Sequence, residues 1–213
     1  MLVLGDAHAA TRDRRRSLYA AYRAAAADVA VQAGDLMYYA PPVETYFIGG
    51  NNEDFDVVEA LRRGVDPGPG VSNVHLLDGA VHDVEGVRVT GVSGNFAPTV
   101  FDEPRSVLAG DRRRHFVAAD LERAAALEDV DVLVLHEGPV GLPVEEEYEP
   151  GCEHVNRLLR ALEPELVLVG HHHQHARATI EGCRVVALAP AWERYYTLDP
   201  ADLVLTAHET PPA

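Results

Sequence analysis

Short apolar runs alternate with longer polar or amphipathic segments along the first third of the chain. Residues 2–4, 28–33 and 44–48 are apolar or β-rich runs of strand length, which predicts three strands. The alanine-rich segment 12–27 predicts a helix, and a second helix is predicted over residues 53–63. This alternation of strands and helices is typical of a layered α/β fold.

The central part of the chain predicts a group of short strands. Residues 74–77, 80–84 and 87–92 are closely spaced β-rich runs, which predicts adjacent antiparallel strands. The Gly- and Pro-rich segment 64–70 before them predicts a turn within one domain rather than a linker.

The C-terminal half predicts two further helices among strands. The helices are predicted over residues 112–127 and 152–162. The strands are predicted over residues 130–135, 165–169, 176–180, 184–188, 194–198 and 203–207. The length of 213 residues suits one domain spanning residues 1–213.

Side chains that can hold a metal ion follow five of the apolar runs. They are Asp6 and His8, Asp35, Asn51, His136, and His171 with His173. Ligands in α/β sheets collect at the carboxyl ends of strands, so these residues are expected to converge. Residues i and i+2 of an extended segment point the same way, which makes Asp6–His8 and His171–His173 candidate pairs.

These seven candidate ligands are too many for one ion but suit two ions with a bridging carboxylate. Imidazole and carboxylate together suit Mn, Fe, Zn or Co, and the absence of thiolate argues against a structural zinc site. Two divalent ions, two aspartates and a hydroxide leave roughly one positive charge, which attracts a phosphate oxygen. Phosphoester hydrolysis is the reaction that most needs such a pair.

Several of these residues also have ordinary structural interpretations. Asp6 and Asp35 could cap helices, and His136 could be a structural histidine. The triple histidine allows a second register, in which His173 pairs with His175. Gly170 favours the first register and leaves His172 facing away.

Aromatic and basic residues near the candidate ligands leave two further alternatives open. Tyr38 and Tyr39 could line a substrate groove or pack into the core. The runs 14–16 and 112–114, which are all Arg, could steer phosphates or be solvated helix starts.

The composition is strongly acidic. The chain has 34 acidic and 18 basic residues and a formal net charge of −16, and every basic residue is Arg. Acidic surfaces keep proteins soluble at high salt, so we expect a salt-loving (halophilic) cytoplasm, and a GC-rich genome that favours Arg is the alternative. The acidity disfavours nucleic acid as a partner unless high salt screens the repulsion.

Cysteine content and hydropathy bear on the compartment. Cys152 and Cys183 indicate no disulfide framework and fit a reducing environment. The N-terminus lacks a basic region and a long apolar core, and no apolar run approaches the ~20 residues that span a membrane. We therefore expect a soluble, cytoplasmic protein with no membrane partner, and the oligomeric state is left open.

Five motifs in this order resemble the calcineurin-like metallophosphoesterases. The family pattern D-x-H, G-D, G-N-H-(D/E), H and G-H-x-H is matched as follows: Gly5-Asp6-Ala7-His8, Gly34-Asp35, Gly50-Asn51-Asn52-Glu53, His136 and Gly170-His171-His172-His173. The resemblance implies a four-layer α-β-β-α sandwich.

The same resemblance implies a division of the ligands between two metal ions. Asp6, His8 and His173 would hold the first ion, and Asn51, His136 and His171 the second. Asp35 would bridge the two. Manganese is the first choice of metal, and Fe, Zn, Co or Ni are possible.

A narrower likeness links parts of the chain to RNA lariat debranching enzymes. The segments 46–51, 90–94 and 135–139 are similar to corresponding runs in those enzymes. Those enzymes are longer, so we interpret this as kinship within the family and not as evidence for a lariat substrate.

One residue departs from the family pattern. Asn52 stands where the family has a histidine that assists the leaving group, and an amide cannot act as a general acid. The sequence predicts a phosphoesterase, more readily a phosphodiesterase, that uses metal-bound hydroxide, with Asp35 and Asn52 as catalytic residues. The alternatives are a catalytically weak scaffold of the same fold and a nuclease acting on RNA or DNA at high salt.

Overall fold

The computed structural model describes residues 1–144 and 151–213. Its strands in these ranges are β1 (Leu2–Leu4), β2 (Val29–Gln32), β3 (Glu44–Phe47), β4 (Val74–Leu76), β5 (His82–Val84), β6 (Val87–Val92), β7 (Val132–Leu135), β8 (Leu166–Val169), β9 (Ala176–Ile180), β10 (Cys183–Ala187), β11 (Arg194–Leu198) and β12 (Leu205–Glu209). Its α-helices are α1 (Arg12–Ala25), α2 (Phe55–Arg62), α3 (Ala118–Ala125) and α4 (Glu153–Leu162).

Within the described ranges the strands form two six-stranded sheets. The first has the order β12-β11-β1-β2-β3-β4 and the second the order β5-β6-β7-β8-β10-β9. Strands β1 to β4 are parallel, as are β6, β7, β8 and β10. The outer strands β11, β12, β5 and β9 pair antiparallel with their neighbours.

Alternation along the strands builds the layers. In β1, Val3 faces the second sheet and belongs to the central core with residues such as Val89 and Val134. Leu2 and Leu4 point to the opposite face and pack with α1 and α2. Residues of β7 and β8 that face outward pack with α3 and α4. The result is the four-layer α-β-β-α sandwich that the resemblance implied.

The prediction of three adjacent antiparallel strands in the centre of the chain is wrong for the first of them. Strand β4 pairs parallel with β3 in the first sheet, because α2 returns the chain in a β-α-β crossover. The chain then passes to the second sheet at Asp78, where β5 and β6 form an antiparallel hairpin. Short strand-like runs close in sequence do not reveal such a change of sheet.

The prediction of a helix over residues 112–127 is wrong for its first turns. Residues Gly110–Arg114 form a 3₁₀ helix, and α3 begins only at Ala118. Asp120 caps the true start, since its carboxylate accepts from the backbone N–H of Val117 at 3.0 Å. The basic run here is engaged, because Arg113 pairs with Asp56 at 2.6 Å and the other two contact neighbouring carbonyls.

None of the helices in residues 1–144 and 151–213 is both long enough and apolar enough to cross a bilayer.

The two sheets approach each other closely at Gly91 of β6. A Cβ added there would lie 2.4 Å from Cγ2 of Ile48 and 2.9 Å from the carbonyl oxygen of Val134. The backbone of Val134 cannot move away from an added Cβ without disturbing the sheet. We therefore expect Gly91→Ala to lower the free energy of unfolding by about 1–3 kcal/mol in urea denaturation. Gly49→Ala, whose Cβ meets nothing closer than 3.4 Å, is the control, and equal stability of the two variants would contradict the argument.

Candidate metal centre

The predicted donor groups lie at one edge of the sandwich, after the carboxyl ends of parallel strands. Asp6 follows β1, Asp35 follows β2 and Asn51 follows β3 in the first sheet. In the second sheet, His136 follows β7 and the 171–173 histidine triplet follows β8. Loops from both sheets therefore supply one centre.

Asp6, His8 and His173 form the first cluster. The Oδ1 atom of Asp6 lies 3.6 Å from Nε2 of His173, and the Nε2 atoms of His8 and His173 are 3.3 Å apart. Ligand atoms of the three residues all lie within 4.8 Å of one another, close enough to surround a single ion.

Asp6, Asp35 and His136 form the second cluster. Nε2 of His136 lies 3.7 Å from Oδ1 of Asp35 and 4.0 Å from Oδ1 of Asp6. Asn51 belongs to the same group, because its Oδ1 is 2.9 Å from that Nε2. The ring of His171 lies beside it, with its centre 5.1 Å from the centre of the His136 ring.

The Asp35 carboxylate lies between the two clusters. Its Oδ2 is 3.5 Å from Nε2 of His8, and its Oδ1 faces His136. One oxygen on each side is the arrangement that a bridging carboxylate needs. Asp6 contacts both clusters through Oδ1 alone, since its Oδ2 accepts from the backbone N–H of His171 at 2.8 Å.

The donor atoms require a positive charge among them. Oδ1 of Asp6 is buried and has no hydrogen-bond partner. Nδ1 of His136 lies 3.1 Å from the carbonyl oxygen of Ala33, and donation there turns the lone pair of Nε2 toward the centre. With this tautomer, Nε2 and Oδ1 of Asn51 are two acceptors 2.9 Å apart, an arrangement that a metal ion between them stabilises. The donor set thus fits divalent metal ions of the Mn, Fe, Zn or Co type.

Asp6 and His173 shift the pKa of each other. Burial raises the pKa of Asp6, but the contact with His173 and the charges of His136 and His173 outweigh burial, so the pKa lies below its usual value. The contact with Asp6 in turn raises the pKa of His173 above its usual value. No Arg in the described part of the chain forms an ion pair with Asp6 or Asp35.

The glycines that precede the donors are required by close packing. A Cβ on Gly34 would lie 2.3 Å from Nδ1 of His136, and one on Gly170 would lie 3.0 Å from the same atom. A Cβ on Gly50 would lie 2.1 Å from Oδ1 of Asp35. The glycine in each motif therefore allows one loop to pack directly against the donor of another.

The reason predicted for the Asp6–His8 and His171–His173 pairs is wrong. The backbone at His8, His171 and His173 is left-handed, with φ of 45°, 71° and 54°, and not extended. Tight turns rather than strand alternation direct these side chains. Non-glycine residues rarely adopt such angles, and they concentrate where function demands them.

Helix capping does not account for the two aspartates. Thr11 caps α1 and Asp54 caps α2, each by accepting from backbone N–H groups of the first turn. Asp6 and Asp35 lie outside both caps.

The alternative register of the triple histidine is not the one that the structure brings to the centre. Nδ1 of His175 lies 3.2 Å from the hydroxyl of Tyr196, away from both clusters. His172 is buried beneath the loop, whereas His173 reaches Asp6.

Asn52 contacts the carboxylate of Asp35, which lies between the two clusters. Its backbone N–H donates to Oδ1 of Asp35 at 2.7 Å, and its side-chain amide donates to Oδ2 at 2.8 Å. Asn52 is exposed on its other side. The residue therefore orients Asp35 from the solvent side of the centre.

Glu53 holds the loop that carries Asp35 from the protein interior, a role that the sequence did not predict. Its carboxylate accepts from the backbone N–H groups of Leu36 at 2.9 Å and Met37 at 3.0 Å, and from the hydroxyl of Tyr39. Burial raises the pKa of Glu53 to about 7. Tyr39 is buried and supports the loop after Asp35 through its hydrogen bond to Glu53. The signal that could have found Glu53 was its place as the acidic residue that ends the third family motif.

Ser93 and Asp78 hold the neighbouring loop, a role that the sequence did not predict although Ser93 lies in the segment 90–94. The hydroxyl of Ser93 accepts from the backbone N–H of Gly49 at 2.7 Å and donates to Oδ1 of Asp78 at 2.8 Å. Arg62 pairs with the other oxygen of Asp78. This chain of contacts anchors the segment that carries Asn51.

Glu53→Gln tests the internal support of the Asp35 loop. The amide of Gln would set an N–H against the N–H of Met37 or Leu36 and leave a buried donor unpaired, which costs about 1–3 kcal/mol. We expect urea denaturation to show that loss and calorimetry to show weaker Mn²⁺ binding. Glu103→Gln, at an exposed position, is the control, and matching values for the two variants would refute the role of Glu53.

Solved structures share this fold over nearly the whole chain. The protein TT1561 of Thermus thermophilus is 19% identical with a TM-score of 0.68, and the match covers 99% of both chains. The calcineurin-like phosphoesterase YfkN of Bacillus subtilis is 14% identical with a TM-score of 0.50, covering 98% of this chain and 87% of that one. GAP50, the anchor in the inner membrane complex of Plasmodium, is 9% identical with a TM-score of 0.53, and the match covers 100% of this chain and 88% of that one.

Sequence comparison gives the family. No curated protein matches the chain significantly. The profile of the family described as metallophosphoesterase, calcineurin superfamily, matches residues 19–198. This match spans most of the sequence, so the chain belongs to the calcineurin superfamily of metallophosphoesterases and is a metal-dependent phosphoester hydrolase.

Proposed function

We propose that this protein hydrolyses phosphodiesters at a centre of two divalent metal ions. The observation that carries the proposal is the buried Oδ1 of Asp6, which has no hydrogen-bond partner and lies between His173 on one side and His136 on the other. Two clusters that share this carboxylate, with Asp35 facing both, support two ions better than one.

The ligands divide between the two ions as the family resemblance implied. Asp6, His8 and His173 would hold the first ion, with Asp35 shared between both ions. Asn51, His136 and His171 would complete the second. When bound, such a pair polarises a phosphoryl oxygen and lowers the pKa of a coordinated water, and manganese is the first choice to test.

The charge of the centre favours a diester. Two divalent ions with the two aspartates and a hydroxide retain roughly one positive charge, which matches the single charge of a diester better than the two of a monoester. The residues of the chain provide orientation: Glu53 and Asn52 fix Asp35, and the hydrogen bond to Ala33 fixes the ring of His136.

Asn52 determines which esters should react slowly. Its amide cannot give a proton to a leaving alkoxide, and proton donation is typically worth about 10²–10⁴-fold. Activated aryl esters, which leave without a proton, are affected less. Its hydrogen bond to Asp35 gives it a positioning role instead.

A binding scaffold of the same fold is the second candidate. The replacement of the expected histidine by Asn52 favours it, and GAP50 is an anchor that shares the fold. The complete donor set argues against it. Turnover distinguishes the two, whereas metal content does not, because a scaffold can also bind metal.

A nucleic-acid substrate is the third candidate, and a basic groove on α1 favours it. The groove encloses about 610 Å³ and is lined by Arg12, Arg15, Arg16, Tyr19, Arg23 and Ala213. Cationic grooves with aromatic side chains bind single strands. The narrower likeness to RNA lariat debranching enzymes remains a prediction.

We further propose that the protein works in a salt-rich cytoplasm. A net charge of −16 repels anionic substrates at low salt, and the Debye length falls to roughly 3 Å at 1 M. Assays are therefore run at both low and molar salt.

Hydrolysis of bis-p-nitrophenyl phosphate with Mn²⁺ tests the proposed function. We expect turnover that a chelator abolishes and that Asp35→Asn lowers by at least a hundredfold, because that variant loses one charge between the two clusters. Retained folding of Asp35→Asn is checked by circular dichroism. A folded, metal-loaded wild type without turnover at either salt concentration would favour the scaffold.

Asn52→His tests the missing proton donor. We expect the variant to exceed Asn52→Ala by at least tenfold on thymidylyl-(3′→5′)-thymidine, whose leaving group is an alkoxide. On bis-p-nitrophenyl phosphate the two should be similar, since both lose the amide contact to Asp35. Equal rates of the two variants on the dinucleotide would count against the assignment.

A further inference from the structure

Beside the first cluster, an aromatic ring forms the rim of the centre. The ring of Trp192 has its centre 5.4 Å from that of His173 and 5.8 Å from that of His8. Trp192 is partly exposed and is the only tryptophan in the chain. A ligand that occupies the centre therefore passes close to this indole.

Arg14 stacks on this ring. Its guanidinium carbon lies 3.5 Å from the centre of the Trp192 ring. Stacking uses only the face of the guanidinium, so the N–H donors along its edge remain available. Arg14 makes no side-chain hydrogen bond and no ion pair with any residue in the described ranges.

Many arginines of this acidic chain are paired, such as Arg113 with Asp56 and Arg184 with Glu165. In the described ranges Arg12, Arg23, Arg157 and Arg194 lack a side-chain partner as Arg14 does, but only Arg14 stacks on the ring that borders the first cluster. Arg15, the next residue, is occupied by the carbonyl oxygens of Ala9 and Ala10 at 3.3 Å each. Arg14 thus presents hydrogen-bond donors that have no protein partner among the described residues, and it does so on Trp192, the ring that borders the first cluster.

We propose that Arg14, held on Trp192, binds a second phosphate group of the substrate, separate from the phosphate that reacts. This inference rests on the proposed function and narrows the substrate to phosphoesters with an additional phosphate nearby. A planar guanidinium fork matches two phosphate oxygens, and such charge-assisted pairs are stronger than neutral hydrogen bonds. Glu193, whose charge acts on His173, is the acidic group that opposes the anion from the same loop.

Two substrates that differ by one phosphate test the proposal. They are the 5′-(p-nitrophenyl phosphate) ester of thymidine and the same ester carrying a 3′-phosphate. Both release p-nitrophenol, so the reacting bond is unchanged. We expect the Mn²⁺-loaded wild type to show a KM about tenfold or more lower for the 3′-phosphorylated ester, with similar kcat.

Arg14→Gln should remove this preference and Arg12→Gln should keep it. The two variants lose the same charge from the first turn of the same helix, but Arg12 lines the groove on the other side of α1. Arg14→Lys keeps the positive charge but lacks the planar guanidinium fork. It should therefore retain only part of the preference for the 3′-phosphorylated ester.

Fluorescence of the single tryptophan gives a readout that does not depend on turnover. Thymidine 3′,5′-bisphosphate is titrated into metal-free protein in the presence of chelator. We expect a saturable change in Trp192 emission in wild type and Arg12→Gln. The affinity for the bisphosphate obtained from this titration should be at least tenfold weaker in Arg14→Gln. Thymidine alone should produce none.

The outcomes separate this inference from the proposed function. Turnover without a preference for the extra phosphate, or an equal loss in Arg12→Gln and Arg14→Gln, would overturn the role of Arg14 and leave the phosphodiesterase intact. Absence of turnover on every ester would count against the proposed function, and the fluorescence titration would still decide whether Arg14 binds phosphate.

Discussion

Burial of two carboxylates without an arginine partner is the constraint on which this structure depends. Asp6 and Asp35 are at most 2% exposed, and no Arg pairs with either in the described part of the chain. Uncompensated buried charges are costly, so four histidines, backbone N–H groups and the amide of Asn52 surround them. Metal ions supply what these groups cannot, which is net positive charge.

The sandwich supplies the geometry that this burial requires. Parallel strands in both sheets end at the same edge, and the shared apolar core between the sheets fixes how closely their loops approach. Gly34, Gly50 and Gly170 then permit contact without intervening side chains. Glu53 holds the backbone at Leu36 and Met37, directly after the left-handed Asp35, and Ser93 holds the backbone at Gly49.

Residues that depart from the family motifs or lie outside them distinguish this centre. Asn52 stands where the family has a proton donor and contacts the carboxylate of Asp35. Trp192 borders the first cluster, and Arg14 stacks on its ring. The donor set fits the reaction class of the family, whereas these neighbours are the residues that we propose select among its substrates.

The sequence alone determined the layered fold, the placement of donors after strands and the family pattern, because hydrophobic period and motif order are local properties of the chain. It could not place β4 in the first sheet, since a change of sheet at Asp78 leaves strand-like runs looking adjacent. Extended geometry was the wrong reason for pairing His171 with His173, because turns directed by packing between loops set those angles. Only the tertiary structure brought Trp192 and Arg14, 178 positions apart, to the donors of β1 and β8, because contacts between distant segments depend on how the two sheets pack.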